Sequence, residues 1–218
     1  SIIKCISTRR KKPIMKYFLS FLIIISSFFI NSQNHEEAKV LIDEVSRKIN
    51  NAKSIVINFT LKQGKNFNEK GVLEIKDGKY HLTFMEIKQI SDSENIYTII
   101  FENKEVLITK ISDDDNLLKP SNLFNFFEKG YFYQNTLSNN DQKKTQISLI
   151  PIKQNLDKKK LLITINKEKN EIFEIIEFDK SNNKTVIKIN SIFFNSNIGN
   201  EKFVFDRKKY QDYYIEEF

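Results

Sequence analysis

The stretch GVLEIKDGKYHLTF, residues 71–84, alternates apolar and polar side chains on both sides of an Asp77-Gly78 pair. Leu73 and Ile75 lead into the pair, and Tyr80, Leu82 and Phe84 lead out of it. Successive residues of a strand point to opposite faces, and Asp-Gly suits the positive backbone angles of a two-residue hairpin loop. The stretch is expected to form an antiparallel hairpin with one apolar face.

The same period runs outward in both directions. Upstream, Ile55, Ile57, Phe59 and Leu61 share one side, with Asn58, Thr60 and Lys62 opposite. Downstream, strands are expected at Asn95–Phe101, Glu105–Thr109, Tyr131–Leu137, Thr145–Pro151, Lys160–Asn166, Glu171–Phe178, Lys184–Phe194 and Lys202–Phe205. Polar turns at 102–104, 166–170 and 179–183 separate several of them. Short strands joined by polar turns argue for an antiparallel sheet or barrel and against alternating strand–helix units. Ahead of the strands, Ala38, Leu41, Ile42, Val45 and Ile49 keep the spacing of one helix face, and Asn50-Asn51 closes it. A second helix is expected at PSNLFNFFEKG, residues 120–130: Pro120 and Ser121 open it and Gly130 ends it. No repeat, linker or second domain is evident.

Residues 17–30 are apolar or small, follow the basic residues Arg9 to Lys16, and precede the polar run Asn31-Ser32-Gln33-Asn34. That is the layout of a secretory signal peptide, and it falls short of the roughly 20 residues that cross a bilayer. We read residues 1–14 as an upstream extension, 15–32 as a signal peptide starting at Met15, and 33–218 as a single domain. Six of the 35 basic residues and none of the 28 acidic ones lie in 1–32, so the formal charge of +7 falls to near +1 without the leader. Nucleic-acid binding then loses its electrostatic basis. Cys5 lies before the apolar run, which leaves the exported chain without a disulfide, a thiol nucleophile or a sulfur ligand.

Chemistry-bearing patterns are sparse. His35 and His81 lack the spacing of a zinc site, and the alternation of the hairpin points His81 to solvent. Asp113-Asp114-Asp115 lacks the spaced oxygens and the turning glycine of a calcium loop. Neither a phosphate-cradling glycine loop nor a Gly-x-Ser-x-Gly elbow occurs. No catalytic residue, metal ligand or cofactor is nominated. What remains is apolar surface. Fifteen of the 19 phenylalanines lie beyond the leader. A curved sheet with one apolar face, loosely capped by helices carrying Leu123, Phe124, Phe126 and Phe127 and by Ala38–Ile49, could enclose a cavity.

These residues resemble, in order and spacing, the outer-membrane lipoprotein carrier protein family (LolA) in its Bacteroidota form. The likeness runs from the helix AKVLIDEVSRKI to the C-terminal end. It rests on SIVINFTL, on Gly71, Leu73, Ile75, Lys79 and Tyr80, on Ser91-Asp92 with Ile96-Tyr97, and on KPSNLFNFFEKGYFY. Leu149-x-Pro151-x-Lys153, then Ile172, Ile175, Asp179 and Thr185, and finally Phe203-x-Phe205-Asp206 and Tyr210 complete it. Ser93 stands where the family usually has Gly and Tyr97 where it has Trp. Lys76-Asp77-Gly78 replaces the Arg-Pro that many proteobacterial members carry at the first hairpin.

The resemblance implies a mainly β fold: an incomplete, curved antiparallel β-barrel closed by short helices. It implies a monomeric periplasmic carrier that shields the acyl chains of lipoproteins. Its partners would be those lipoproteins, an inner-membrane lipoprotein-releasing complex and an outer-membrane acceptor, with no nucleic acid. The acyl-facing candidates are Phe59, Leu61, Leu73, Ile75, Tyr80, Leu82, Phe84, Ile99, Phe101, Leu149, Ile163, Ile175, Ile187 and Ile189. Leu123, Phe124 and Phe127 would form the lid. The alternatives are a lipid or lipoprotein sensor of the same architecture without carrier duty, and a secreted hydrolase.

Overall fold

The computed structural model describes residues 36–111, 130–136, 143–152 and 158–218. Helix α1 (residues 36–50) leads into β1 (Ser54–Gln63), β2 (Phe67–Lys76), β3 (Lys79–Phe84), β4 (Ile87–Ser91), β5 (Asn95–Ile100) and β6 (Glu105–Lys110). A second run comprises β7 (Tyr131–Thr136), β8 (Lys144–Pro151), β9 (Lys158–Asn166), β10 (Glu171–Asp179) and β11 (Lys184–Phe194). Two 3-10 turns, η1 (Asn200–Phe203) and η2 (Arg207–Tyr210), precede β12 (Tyr214–Glu217).

All twelve strands form one sheet in the order β12-β6-β5-β4-β3-β2-β1-β11-β10-β9-β8-β7. Two meanders meet where β1 pairs with β11, and every pairing is antiparallel except β12 with β6. Among the described residues the ends of the order, β12 and β7, do not pair with each other. The architecture is therefore an open, incomplete antiparallel barrel, as expected. Bulges bend strands and strengthen their twist. The register slips between Asn58 and Phe59 opposite β11, and between Ile172 and Glu174 opposite β9.

The β2–β3 hairpin forms where the sequence places it. Lys76 pairs with Lys79, and Asp77 and Gly78 both have positive φ, 50° and 76°. Those are the angles of the primed turn whose twist matches the flanking strands.

The two faces of the sheet carry different cores. On the inner face α1 lays Ala38, Ile42 and Val45 against Ile55, Ile57, Ile75, Ile172 and their neighbours. Lys48 fastens the helix. Its Nζ lies 2.8 Å from Glu171 Oε1 and 2.8 Å from the Lys169 carbonyl. On the outer face a smaller core gathers Ile90, Ile99, Val106 and Tyr210. It is completed by the chain after β11, which crosses back over β1–β4 as a strap to reach the far edge at β12.

The strap is tied residue by residue. Ser54 Oγ donates to the Ser196 carbonyl at 2.6 Å, and Lys76 Nζ to the Ile198 carbonyl and Asn200 Oδ1 at 2.8 Å each. Lys202 Nζ meets Glu74 Oε1 at 2.5 Å. Phe205 then stacks on Tyr97 with ring centroids 4.5 Å apart, and Tyr210 on Phe205 at 5.4 Å.

One sequence expectation needs correction, and two strands go unread. Lys202–Phe205 is not a strand, because the Phe-x-Phe spacing that reads as alternation straddles the end of η1. β12 goes unread because YIEE is short and acidic. β4 goes unread because its apolar residues, Ile87 and Ile90, stand three apart and so face opposite ways.

Candidate functional site

The apolar inner face is built from aligned rows. Ile57 pairs with Leu73, and Leu73 with Leu82. Beside that row, Phe59 pairs with Gly71, Gly71 with Phe84, and Phe84 with Ile87. Across the β1–β11 seam the face continues through Ile187, Ile175, Ile163 and Ile147.

Among the candidates, Phe59, Leu73, Ile75, Tyr80, Leu82, Leu149, Ile163, Ile175, Ile187 and Ile189 all pack in the inner core. Leu61 shares their face by register opposite Ile187, and Phe84 by stacking on Phe59 at 5.8 Å. Ile99 and Phe101 do not belong here. Both pack in the outer core, and Ile96 occupies the inner position instead. The reason is visible in NIYTII, where Ile96 and Ile100 lie on one face while Tyr97 and Ile99 lie on the other. Leu123, Phe124 and Phe127 lie outside the described residues, as do the signal peptide 15–32, His35 and Asp113–Asp115.

Cover over the face is uneven. Beneath α1 the packing is tight: the cavity lined by Val45, Ile49, Ile55, Ile57, Ile172 and Phe194 measures only about 10 Å³, at most room for one water. The loose cap expected from sequence is thus a close-packed seat at this point. Along β1 and β3 the cover thins away from α1, whereas Ile147, Leu149, Leu161, Ile163 and Ile165 of β8 and β9 stay buried throughout. Ile55 and Ile57 are buried, while Phe59 and Leu61 are half-buried. Tyr80 is buried, Leu82 and Phe84 are half-buried, and Met85 and Ile87 reach 52% and 36% exposure. Phe67 leans against Phe84 with centroids 6.4 Å apart. This end presents a half-open aromatic and aliphatic surface.

Polar groups on the inner face answer one another. The Tyr80 hydroxyl reaches Gln89 Oε1 at 3.4 Å, and Gln89 Nε2 donates to Thr98 Oγ1 at 3.1 Å. Burial pushes the Tyr80 hydroxyl pKa up to about 12, so it stays neutral. Such a surface suits alkyl chains.

The ionisable cluster sits on the other side of the sheet. Glu74 and His81 are cross-strand neighbours on the outer face, with Nδ1 and Oε2 3.1 Å apart. His81 does point outward, as alternation requires, yet it is not solvent-facing because the strap lies over it. Its pKa is lowered by burial, an effect that Glu74 opposes. Glu74 also holds Lys202 of the strap, so the cluster acts as a structural clip. Among the described residues no group of three or more His, Cys, Asp or Glu could hold a metal ion.

Sequence reasoning missed Gly71 as a packing position, together with Phe67 and Ile87. Gly71 carries no side chain to count in a pattern. Its signal is its place in a strand interior, where a glycine often marks the close approach of another group.

No protein-family model matches the chain, and no curated protein matches it in sequence. Among solved structures it is similar to an uncharacterized conserved protein from Thermus thermophilus, with a TM-score of 0.56 and 7% identity over 83% of this chain and 99% of that one. At that identity the likeness is one of fold alone. Weaker likenesses extend to an outer membrane lipoprotein-sorting protein domain from Vibrio parahaemolyticus and a LolA superfamily protein from Nitrosomonas europaea. The former has a TM-score of 0.48 and 11% identity, over 82% of this chain and 100% of that one. The latter has a TM-score of 0.40 and 11% identity, over 78% of this chain and 98% of that one.

Proposed function

We propose that this chain is an exported, non-catalytic carrier that shields the acyl chains of lipoproteins and moves them across the periplasm from the inner to the outer membrane. The observation that carries the reading is the half-covered apolar end of the inner face at Phe59, Phe84 and Ile87. Each methylene removed from water gains roughly 0.8 kcal/mol, so an acyl chain will not leave a membrane for water unaided. A sealed core could not take up such a chain, and a fully open sheet could not shield one. An open sheet covered tightly at one end and loosely at the other can do both.

Export would follow from residues 15–32, with the working protein starting near Gln33. An inner-membrane releasing complex would load the carrier, and an outer-membrane acceptor would unload it. Native mass spectrometry of the protein recovered from the periplasm tests this. The expected result is a protein lacking residues 1–32, part of it carrying the mass of a lipoprotein. A protein with the leader retained, or one never found with lipid-bearing cargo, would count against the reading.

A further inference from the structure

We infer that the outer face of β8–β11, extended over β1 and β2, is a docking surface for a bilayer of anionic phospholipid. The strap crosses β1 and β2 at Ser54, Glu74 and Lys76, away from Thr60 and Lys70. Its middle row is apolar, with Leu162, Ile176 and Val186 side by side. Lysine rows flank it. Lys184 and Lys160 stand either side of Phe178 on one flank, and Lys188 and Lys70 either side of Thr60 on the other.

Three of the cations lie over aromatic rings. Lys160 Nζ is 5.1 Å from the Phe178 ring, and Lys144 and Lys188 are 4.1 and 5.8 Å from Phe173. Their stems cover apolar surface while the charged heads stay in water. Lys62, Lys70, Lys184 and Lys188 are exposed, and Glu174, the cross-strand partner of Lys188, is the acidic side chain that stands within these rows. The near-neutral charge read from composition therefore hides a strongly basic face, because the acids lie elsewhere.

The shape selects the occupant. An acidic peptide would need a groove or a free sheet edge, whereas these cations spread over six adjacent strands, from Lys70 on β2 to Lys144 on β8, roughly 24 Å across. At the β7–β8 end of the same face the basic rows give way to Phe132, Ile150 and Ile152, which are 58%, 44% and 53% exposed. Cations bordered at one end by exposed apolar side chains match the interfacial zone of a membrane, where headgroup charge and hydrocarbon meet. The proposal holds whether or not the inner face carries an acyl chain.

Vesicle co-sedimentation of the protein as purified from cells tests it, using phosphatidylglycerol–phosphatidylcholine vesicles against pure phosphatidylcholine. Each lysine near an anionic surface contributes about fivefold to partitioning. The triple variant Lys70→Gln, Lys184→Gln, Lys188→Gln should therefore bind the anionic vesicles roughly 100-fold more weakly. The control Lys39→Gln, Lys53→Gln, Lys110→Gln removes the same charge from α1, the α1–β1 turn and β6, and should bind as the parent does. Raising the salt should release the parent from the vesicles. The proposal is overturned by equal binding to both vesicle types, by equal losses in the two triple variants, or by capture on polyglutamate with none on the anionic vesicles.

Discussion

The far end of the Phe59 ring reaches over Gly71 on the neighbouring strand, in space that any β-carbon at position 71 would occupy. Phe84, the next partner in that row, stacks on the same ring. Three adjacent strands thus build an aromatic floor at the open end of the inner face, and the missing side chain at 71 makes it possible.

Gly71→Ala forces the Phe59 ring off its seat. The expected cost is about 1–3 kcal/mol, the usual penalty for overfilling a packed position, read as a shift in the denaturation midpoint. Combining Gly71→Ala with Phe59→Leu should cost less than the two single changes together, because the second relieves the clash created by the first. Full additivity would show that the two residues are not in contact.

Ser93 carries a backbone strain that the hairpin geometry explains. Its φ is 82°, a region where side chains other than hydrogen are disfavoured, and its hydroxyl donates to the Gly78 carbonyl at 3.1 Å in partial compensation. Ser93→Gly should stabilise the protein by about 0.5 kcal/mol, and Ser93→Val should cost about 1–2 kcal/mol. Equal denaturation midpoints for Gly and Val at this position would contradict the assignment.

Much of this was legible in the sequence, and the failures have physical causes. In β1, β2, β3, β8, β9 and β11 the inner face is buried and the other carries more polar side chains, so period-two alternation names the inner residues. In β5 both faces are buried, one under the strap and one in the main core, so alternation disappears and the sequence points Ile99 to the wrong side. The strap could not be read at all. Its order comes from tertiary ties such as Lys202 to Glu74 and Phe205 to Tyr97, partners more than 100 residues apart. The closeness of the α1 seat was likewise invisible, since helix spacing reports a face but not how tightly it fits.

His81 makes stability depend on pH with a definite sign. Burial holds its pKa below the ordinary 6.5, with Glu74 opposing, so the unfolded chain binds this proton at a higher pH than the folded one does. The stability contributed by the neutral ring is full above about pH 6.5 and is lost as pH falls through the folded value. Urea midpoints followed from about pH 8 down to about pH 5 should decline, and His81→Gln should flatten that decline. A variant with an unchanged slope would place the titrating group elsewhere.

Leu82 and Thr83 are neighbours in β3 on opposite faces, the first half-buried in the inner core and the second exposed on the outer side. The measurement that most directly tests the carrier account is binding of a fluorescent fatty-acyl probe to Leu82→Glu and Thr83→Glu, each confirmed as folded by circular dichroism. A carboxylate placed without a partner against the alkyl chain is costly to desolvate. The account predicts that Leu82→Glu abolishes binding and Thr83→Glu leaves it intact. Normal binding by a folded Leu82→Glu protein would contradict it.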